Sequence, residues 1–77
     1  MTPAIITAIN AERLRADALH GEMSISADGP TDFFRVTVLT EELGEVSRAA
    51  LDGDQAQLRK ELIELAAASI AWAGRLP

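Results

Sequence analysis

Cysteine is absent from this 77-residue chain. Its absence removes disulfide staples and thiolate-held zinc or iron–sulfur centres together. Positive charge is scarce as well: seven Lys and Arg stand against twelve Asp and Glu, a formal net charge of -5. A module that docks on a nucleic-acid polymer needs a basic face to displace counterions from phosphates, and none is visible. Long apolar runs are also missing. The longest uncharged stretch near the C-terminus, Leu65 to Gly74, falls far short of the roughly 20 residues of a membrane span. The first residues, M-T-P-A-I-I-T-A-I-N-A, carry no basic segment and meet charge at Glu12. The expectation is a soluble, cytoplasmic protein with neither a nucleic-acid polymer nor a membrane as partner. Aromatic residues are limited to Phe33, Phe34 and Trp72, and Trp72 reads as part of a helix or dimer core rather than as a platform for a base.

Hydrophobic residues make up 48% of the chain, enough for a packed domain, and the length allows a single domain over residues 1–77. Area-minus-entropy bookkeeping for chains below about 70–80 residues comes out near zero, so such chains need a staple. With cysteine excluded, the staples left are a metal on other ligands or a partner chain that extends the core.

Periodicity predicts an all-α fold of three helices. Thr2-Pro3 is a capping residue followed by proline at a tolerated first-turn position. From there Ile5, Ile6, Ile9, Ala16 and Leu19 recur at helical spacing, giving a helix over 3–19. The stretch from His20 to Thr31, rich in Gly, Ser and Pro, reads as loop. A second helix begins at Thr31-Asp32 and runs to Leu51, with Val36, Leu39, Leu43, Val46 and Ala50 as its apolar stripe. Gly53 suits a left-handed stop, and Asp54 with Gln57 suits a capping box that restarts the chain. The third helix spans 55–74, with Leu58, Leu62, Leu65, Ala66, Ser69 and Ile70 as its stripe.

The last two helices carry the same pattern, Glu-Leu-x-Glu followed by an aliphatic residue: Glu42-Leu43-Gly44-Glu45-Val46 and Glu61-Leu62-Ile63-Glu64-Leu65. Residues three apart share a helix face, so each glutamate pair points one way. A short connection predicts an antiparallel hairpin centred near Gly53. Glu45 and Glu61 are then equally far from the turn, as are Glu42 and Glu64, and four carboxylates stand at matched heights on facing helices. Without a cation such a cluster is costly, because like charges raise one another's pKa. Mg²⁺, with Mn²⁺ as an alternative, suits an all-carboxylate site. Di-iron chemistry fits less well: it calls for Glu-x-x-His, and the one histidine, His20, lies outside these helices. A solvated acidic face remains the open alternative on spacing alone. Gly44, inside a helix, costs roughly 1 kcal/mol relative to alanine unless a close backbone approach offsets it.

This segment resembles the MazG-like nucleotide pyrophosphohydrolases, an all-α superfamily whose pattern is E-E-x-x-E, a gap, then E-x-x-D across two helices. Glu41-Glu42-Leu43-Gly44-Glu45 matches the first half, and Glu61-Leu62-Ile63-Glu64 matches the second except that Glu64 stands where the family has Asp. The likeness covers roughly residues 33–73 and, more weakly, Glu12 to Gly21. It implies that Glu42, Glu45, Glu61 and Glu64 hold Mg²⁺ and that Glu41 is a further ligand or the base that orients the attacking water. The reaction it implies is house-cleaning hydrolysis of a nucleoside triphosphate, canonical or modified, to the monophosphate and pyrophosphate. It also implies a site completed by a homo-oligomer, a dimer or tetramer forming a helical bundle. Lys60, beside Glu61, and Arg13, Arg15 and His20, flanking the loop, are the candidates for contacts with phosphate or base; solvated surface positions are the plainer reading of each. The competing functional class is a helical oligomerisation or interaction module with the same fold and no catalysis.

Overall fold

Each helix starts where a side chain caps it. In the computed structural model, which describes residues 1–77, Thr2 accepts from the Ile5 amide at 3.3 Å and opens α1, Pro3–His20. Gly21 closes α1 at φ 54° and leads into a single 3-10 turn, Gly21–Met23. Thr31 accepts from the Phe34 amide at 3.1 Å and opens α2, Asp32–Asp52. Gly53 ends α2 in the left-handed region at φ 69°, where a side chain would be strained. Its amide and that of Asp54 return to Ala50 and Ala49 at 3.2 and 3.1 Å, satisfying carbonyls the helix end leaves over. Asp54 then accepts from the Gln57 amide at 3.0 Å and opens α3, Gln55–Ala73. The helices therefore fall within one residue of the sequence-based spans. Only half of the expected capping box forms, because the Gln57 side chain turns instead to Glu61. There is no strand, and no helix is long and apolar enough to cross a membrane.

Helix α3 packs against both α1 and α2, whose Cα traces stay more than 8 Å from each other. One end of this arrangement is tied together by the loop after the 3-10 turn. Ser24 and Ser26 donate their hydroxyls to Asp17 on α1 at 2.5 and 2.6 Å. Arg35, buried on α2, donates to the Ile25 and Ala27 carbonyls at 2.9 and 2.8 Å. Beyond α3, Arg75 donates to the Ser26 carbonyl at 2.7 Å and to Asp28 at 2.8 Å. These bonds satisfy polar groups of a loop that no strand or helix ladder serves.

The apolar stripes do not sit where periodicity put them. On α2, Leu39 and Val46 are half-buried while Val36, Leu43 and Ala50 are exposed; the buried positions are Arg35 and Ala49. On α3, Leu58, Leu65 and Ala66 are half-buried, Leu62, Ser69 and Ile70 are exposed, and Glu61, Ala67 and Ala71 are buried. On α1, Ile9 is buried, Ile5 and Ala16 are half-buried, and Ile6 and Leu19 are exposed. The buried apolar set is thus Ile9 and three alanines, together with a buried proline, Pro30. Alanine permits close approach of helix backbones, and α2 and α3 turn Ala49, Ala67 and Ala71 inward while Val36, Leu43, Leu62 and Ile70 stay exposed.

Candidate metal centre

The two-residue connection Gly53-Asp54 brings α2 and α3 together with their glutamate pairs in register. One carboxylate oxygen from each of Glu42, Glu45, Glu61 and Glu64 lies within 4.8 Å of all the others. Glu61 is buried, Glu42 and Glu64 are half-buried, and Glu45 is exposed. The cluster is therefore open on one side and closed at its base.

Glu61 is the pivot. Its residue is 7% exposed, and its Oε1 accepts from the Gln57 side-chain Nε2 at 2.5 Å. Its Oε2 is buried with no N–H or hydroxyl donor in reach, and the same holds for Glu42 Oε2. A buried, unpartnered carboxylate oxygen is expensive. Without a cation, only protons carried by neighbouring carboxyls can meet it. The ionisation pattern agrees. Burial pushes the Glu42 carboxyl up to about 7, and repulsion from Glu45, Glu64 and Glu61 adds to the effect. Glu45 is raised first by its hydrogen bond to Glu61, then by burial. Glu64 is raised by burial, then by its hydrogen bond to Glu61. Burial pushes Glu61 up too, but the bonds it accepts from Glu45, Gln57 and Glu64, with Lys60 nearby, outweigh burial and leave it below the ordinary range. One carboxylate keeps its charge, and its neighbours resist ionising.

A divalent cation would replace those protons. The donor set is four hard oxygens with no nitrogen or sulfur, which matches Mg²⁺, Mn²⁺ or Ca²⁺. Oxygens on opposite sides of Mg²⁺ stand about 4 Å apart, and of Ca²⁺ about 5 Å. A spread of up to 4.8 Å matches oxygens around Ca²⁺ as it stands, and the side chains would close by about 0.7 Å around Mg²⁺. Glu64 takes its place in the set with the longer glutamate side chain.

The other expected site residues divide into two groups. Arg13, Arg15 and His20 line a cavity of about 80 Å³ between α1 and α2, shared with Glu42 and Glu64 and floored by Ala67, Ala68 and Ala71 of α3. The Arg13 Nε is buried there without an acceptor. Glu41 is exposed and stands outside the four-carboxylate set, near enough to raise Glu45. Lys60 is exposed and lines a separate shallow groove with Ala8, Arg15 and Ile63, though its charge reaches Glu61 and Glu64. Arg15 is not free: it holds Glu12 through Nε at 2.8 Å and Nη2 at 2.5 Å. Trp72 is half-buried with an unpartnered Nε1 and does not line the cavity beside the carboxylates. A Cβ added at Gly44 would meet nothing within 4 Å, so no close approach within the chain explains this glycine.

Sequence reasoning missed two contributors. Glu12 lines the cavity and its charge raises Glu64, yet on α1 it reads as ordinary surface decoration. Asp17, which lines the cavity with Ser24, is held below the ordinary carboxylate range by hydrogen bonds from Ser24 and Ser26. The alanine run at 66–68 was the available signal for the cavity, since small side chains on a central helix leave space beside it. Comparison with protein-family models, curated proteins and solved structures gives no match to this chain.

Proposed function

We propose that the chain is a Mg²⁺-dependent nucleoside triphosphate pyrophosphohydrolase of MazG-like type, releasing a nucleoside monophosphate and pyrophosphate. The observation that carries this reading is the convergence of Glu42, Glu45, Glu61 and Glu64, with a buried Glu61 oxygen that no protein N–H or hydroxyl meets. On this reading α2 and α3 form an antiparallel hairpin, and the four glutamates hold the cation, Mg²⁺ or alternatively Mn²⁺. Such a cation supplies charge neutralisation for phosphate oxygens and acidifies water. It also reconciles an acidic protein with an anionic substrate. Glu41, exposed beside the cluster, takes the proton of the attacking water. Arg13 and His20 contact the nucleotide from the adjoining cavity, and Lys60 attracts its phosphates from outside. The enzyme acts in the cytoplasm as a homo-oligomer, a dimer or tetramer.

The test is release of pyrophosphate from a panel of canonical and modified nucleoside triphosphates with Mg²⁺. Release should vanish in Glu45→Gln and Glu61→Gln variants that keep their helix content. No release from any nucleotide by folded wild-type protein refutes catalysis. One observation favours the alternative of a helical interaction module without catalysis: much of the large apolar side-chain surface lies outside the chain's own core. Melts separate the two. A metal at 100 times its Kd adds about 2.7 kcal/mol to a folded protein that binds it, whereas a non-binding module melts alike with and without the ion.

A further inference from the structure

The cavity beside the carboxylates holds one acceptor and one donor that the chain leaves unused. Arg13 and Asp17 lie four residues apart on α1, the spacing at which opposite charges on one helix face ordinarily pair. They form no ion pair with each other. The loop takes up Asp17 instead: the Ser24 and Ser26 hydroxyls both donate to its Oδ1, at 2.5 and 2.6 Å. These bonds first, and the charge of Arg13 after them, hold the Asp17 carboxyl below the ordinary range, so it stands ionised. An ionised carboxylate offers about four acceptor positions over two oxygens, and here both donors fall on the same oxygen. Asp17 Oδ2 meets no protein donor. Arg13 Nε is buried without an acceptor. Both residues line the cavity.

The acceptor is held in place. Ser24 is 4% exposed, and its amide donates to the Gly21 carbonyl at 3.1 Å. A buried, anchored hydroxyl thus fixes the orientation of the carboxylate above it. The space is more than a single bridging water fills: about 80 Å³, where one water needs roughly 10–15 Å³. A phosphate is the wrong occupant for this end, since it brings negative charge and further acceptors to an ionised acceptor. Glu42 and Glu64 border the same cavity, so one molecule can reach the carboxylates with its phosphates and Asp17 with its other end.

We propose that Asp17 is a specificity-determining residue, whose Oδ2 accepts a hydrogen bond from an N–H or O–H of the nucleoside part of the substrate while Arg13 Nε meets a neighbouring acceptor. The proposal rests on the nucleotide-hydrolase reading and extends it from the metal to the far end of the substrate. A donor beside an acceptor describes both the amide-like edge of a base and the hydroxyls of a sugar. Ser24 and Ser26 are positioning residues, acting through Asp17. A few convergent polar groups of this kind are what orient a ligand in a pocket.

Binding of the four common ribonucleosides to the full chain, followed by NMR shifts in EDTA, tests the proposal apart from metal and catalysis. Asp17→Asn keeps an Oδ1 that accepts from both serines and puts an NH₂ donor where Oδ2 was. The nucleoside that binds wild type best should lose affinity about tenfold or more in this variant, with helix content kept. Ser24→Ala, which keeps the acceptor but loosens it, should lose less. A ligand series needs no variant: the ring-N-methylated and the deoxy forms of that nucleoside, of which the one that loses affinity identifies the donor as base or sugar. No nucleoside bound by folded wild type, equal affinity in Asp17→Asn, or indifference to both methylation and deoxygenation overturns the proposal. Pyrophosphate release keeps the two readings apart. Release with a KM that Asp17→Asn leaves unchanged for every nucleotide sinks the role of Asp17 alone. Nucleoside binding that Asp17→Asn abolishes, in a protein that releases no pyrophosphate, upholds that role and sinks catalysis alone.

Discussion

Replacing Glu42 by glutamine should stabilise the metal-free protein, and should do so only as the pH rises. Glutamine has the shape of a protonated glutamate and keeps it at every pH, so the substitution removes one charge from the cluster and little else. The Glu42 carboxyl is raised from 4.5 to about 7, by burial first and by Glu45, Glu64 and Glu61 after it. A raised acid binds its proton more tightly in the folded than in the unfolded chain. Its stabilising contribution is therefore complete below the unfolded value of 4.5 and is lost as the pH climbs through about 7. Taken in full, that interval corresponds to about 3 kcal/mol. Solvent reaches the half-buried carboxyl and screens the interaction, leaving about 1 kcal/mol. For a domain of this length about 1 kcal/mol moves the melting temperature by roughly 4–8 °C. Thermal melts of wild type and Glu42→Gln in EDTA, near pH 5 and near pH 8, provide the assay. The variant should match the wild type at the lower pH and exceed it by that margin at the higher. Equal melting temperatures at both pH values would refute the premise that these carboxylates strain one another.

Three further outcomes follow from the architecture. Gly53→Ala forces a side chain into φ 69° and should cost about 1 kcal/mol, read by denaturant unfolding, with the metal affinity kept. Arg35→Leu removes the donors to the Ile25 and Ala27 carbonyls and should cost about 2 kcal/mol or more, with hydrogen exchange rising first in residues 24–30. Gln57→Leu withdraws the donor from Glu61 Oε1 and should raise the Glu61 pKa, which carbon-detected titration of the glutamate side chains would register.

Local chemistry made the helix ends legible. Thr2, Thr31 and Asp54 each accept the amide their positions imply, and Gly53 adopts the left-handed turn its sequence context requires. The glutamate pairs were legible for the same kind of reason: i, i+3 spacing and equal distance from Gly53 are geometric consequences of two helices and a short turn. Helix rotation was not legible. A periodic stripe fixes which residues share a side, but not which edge of the stripe meets the neighbour. Ala49 rather than Ala50 turned inward, and Glu61 rather than Leu62, with Gln57 offering Glu61 a donor. Arg35 reads as a surface charge until the loop carbonyls that hold it are placed beside it. Glu12 and Arg13 reach the cavity beside Glu64 through the packing of α1 on α3, information that no spacing within a single helix contains.

Uptake of a divalent cation by the four glutamates is the central claim, and calorimetric titration of metal-free protein with Mn²⁺ addresses it most directly. Saturable binding is predicted at one cluster per chain, with a proton released near neutral pH as Glu42 gives it up. Binding should be lost in a Glu61→Gln variant that keeps its helix content. Absence of binding to folded wild-type protein, or binding that Glu61→Gln leaves unchanged, would contradict the claim.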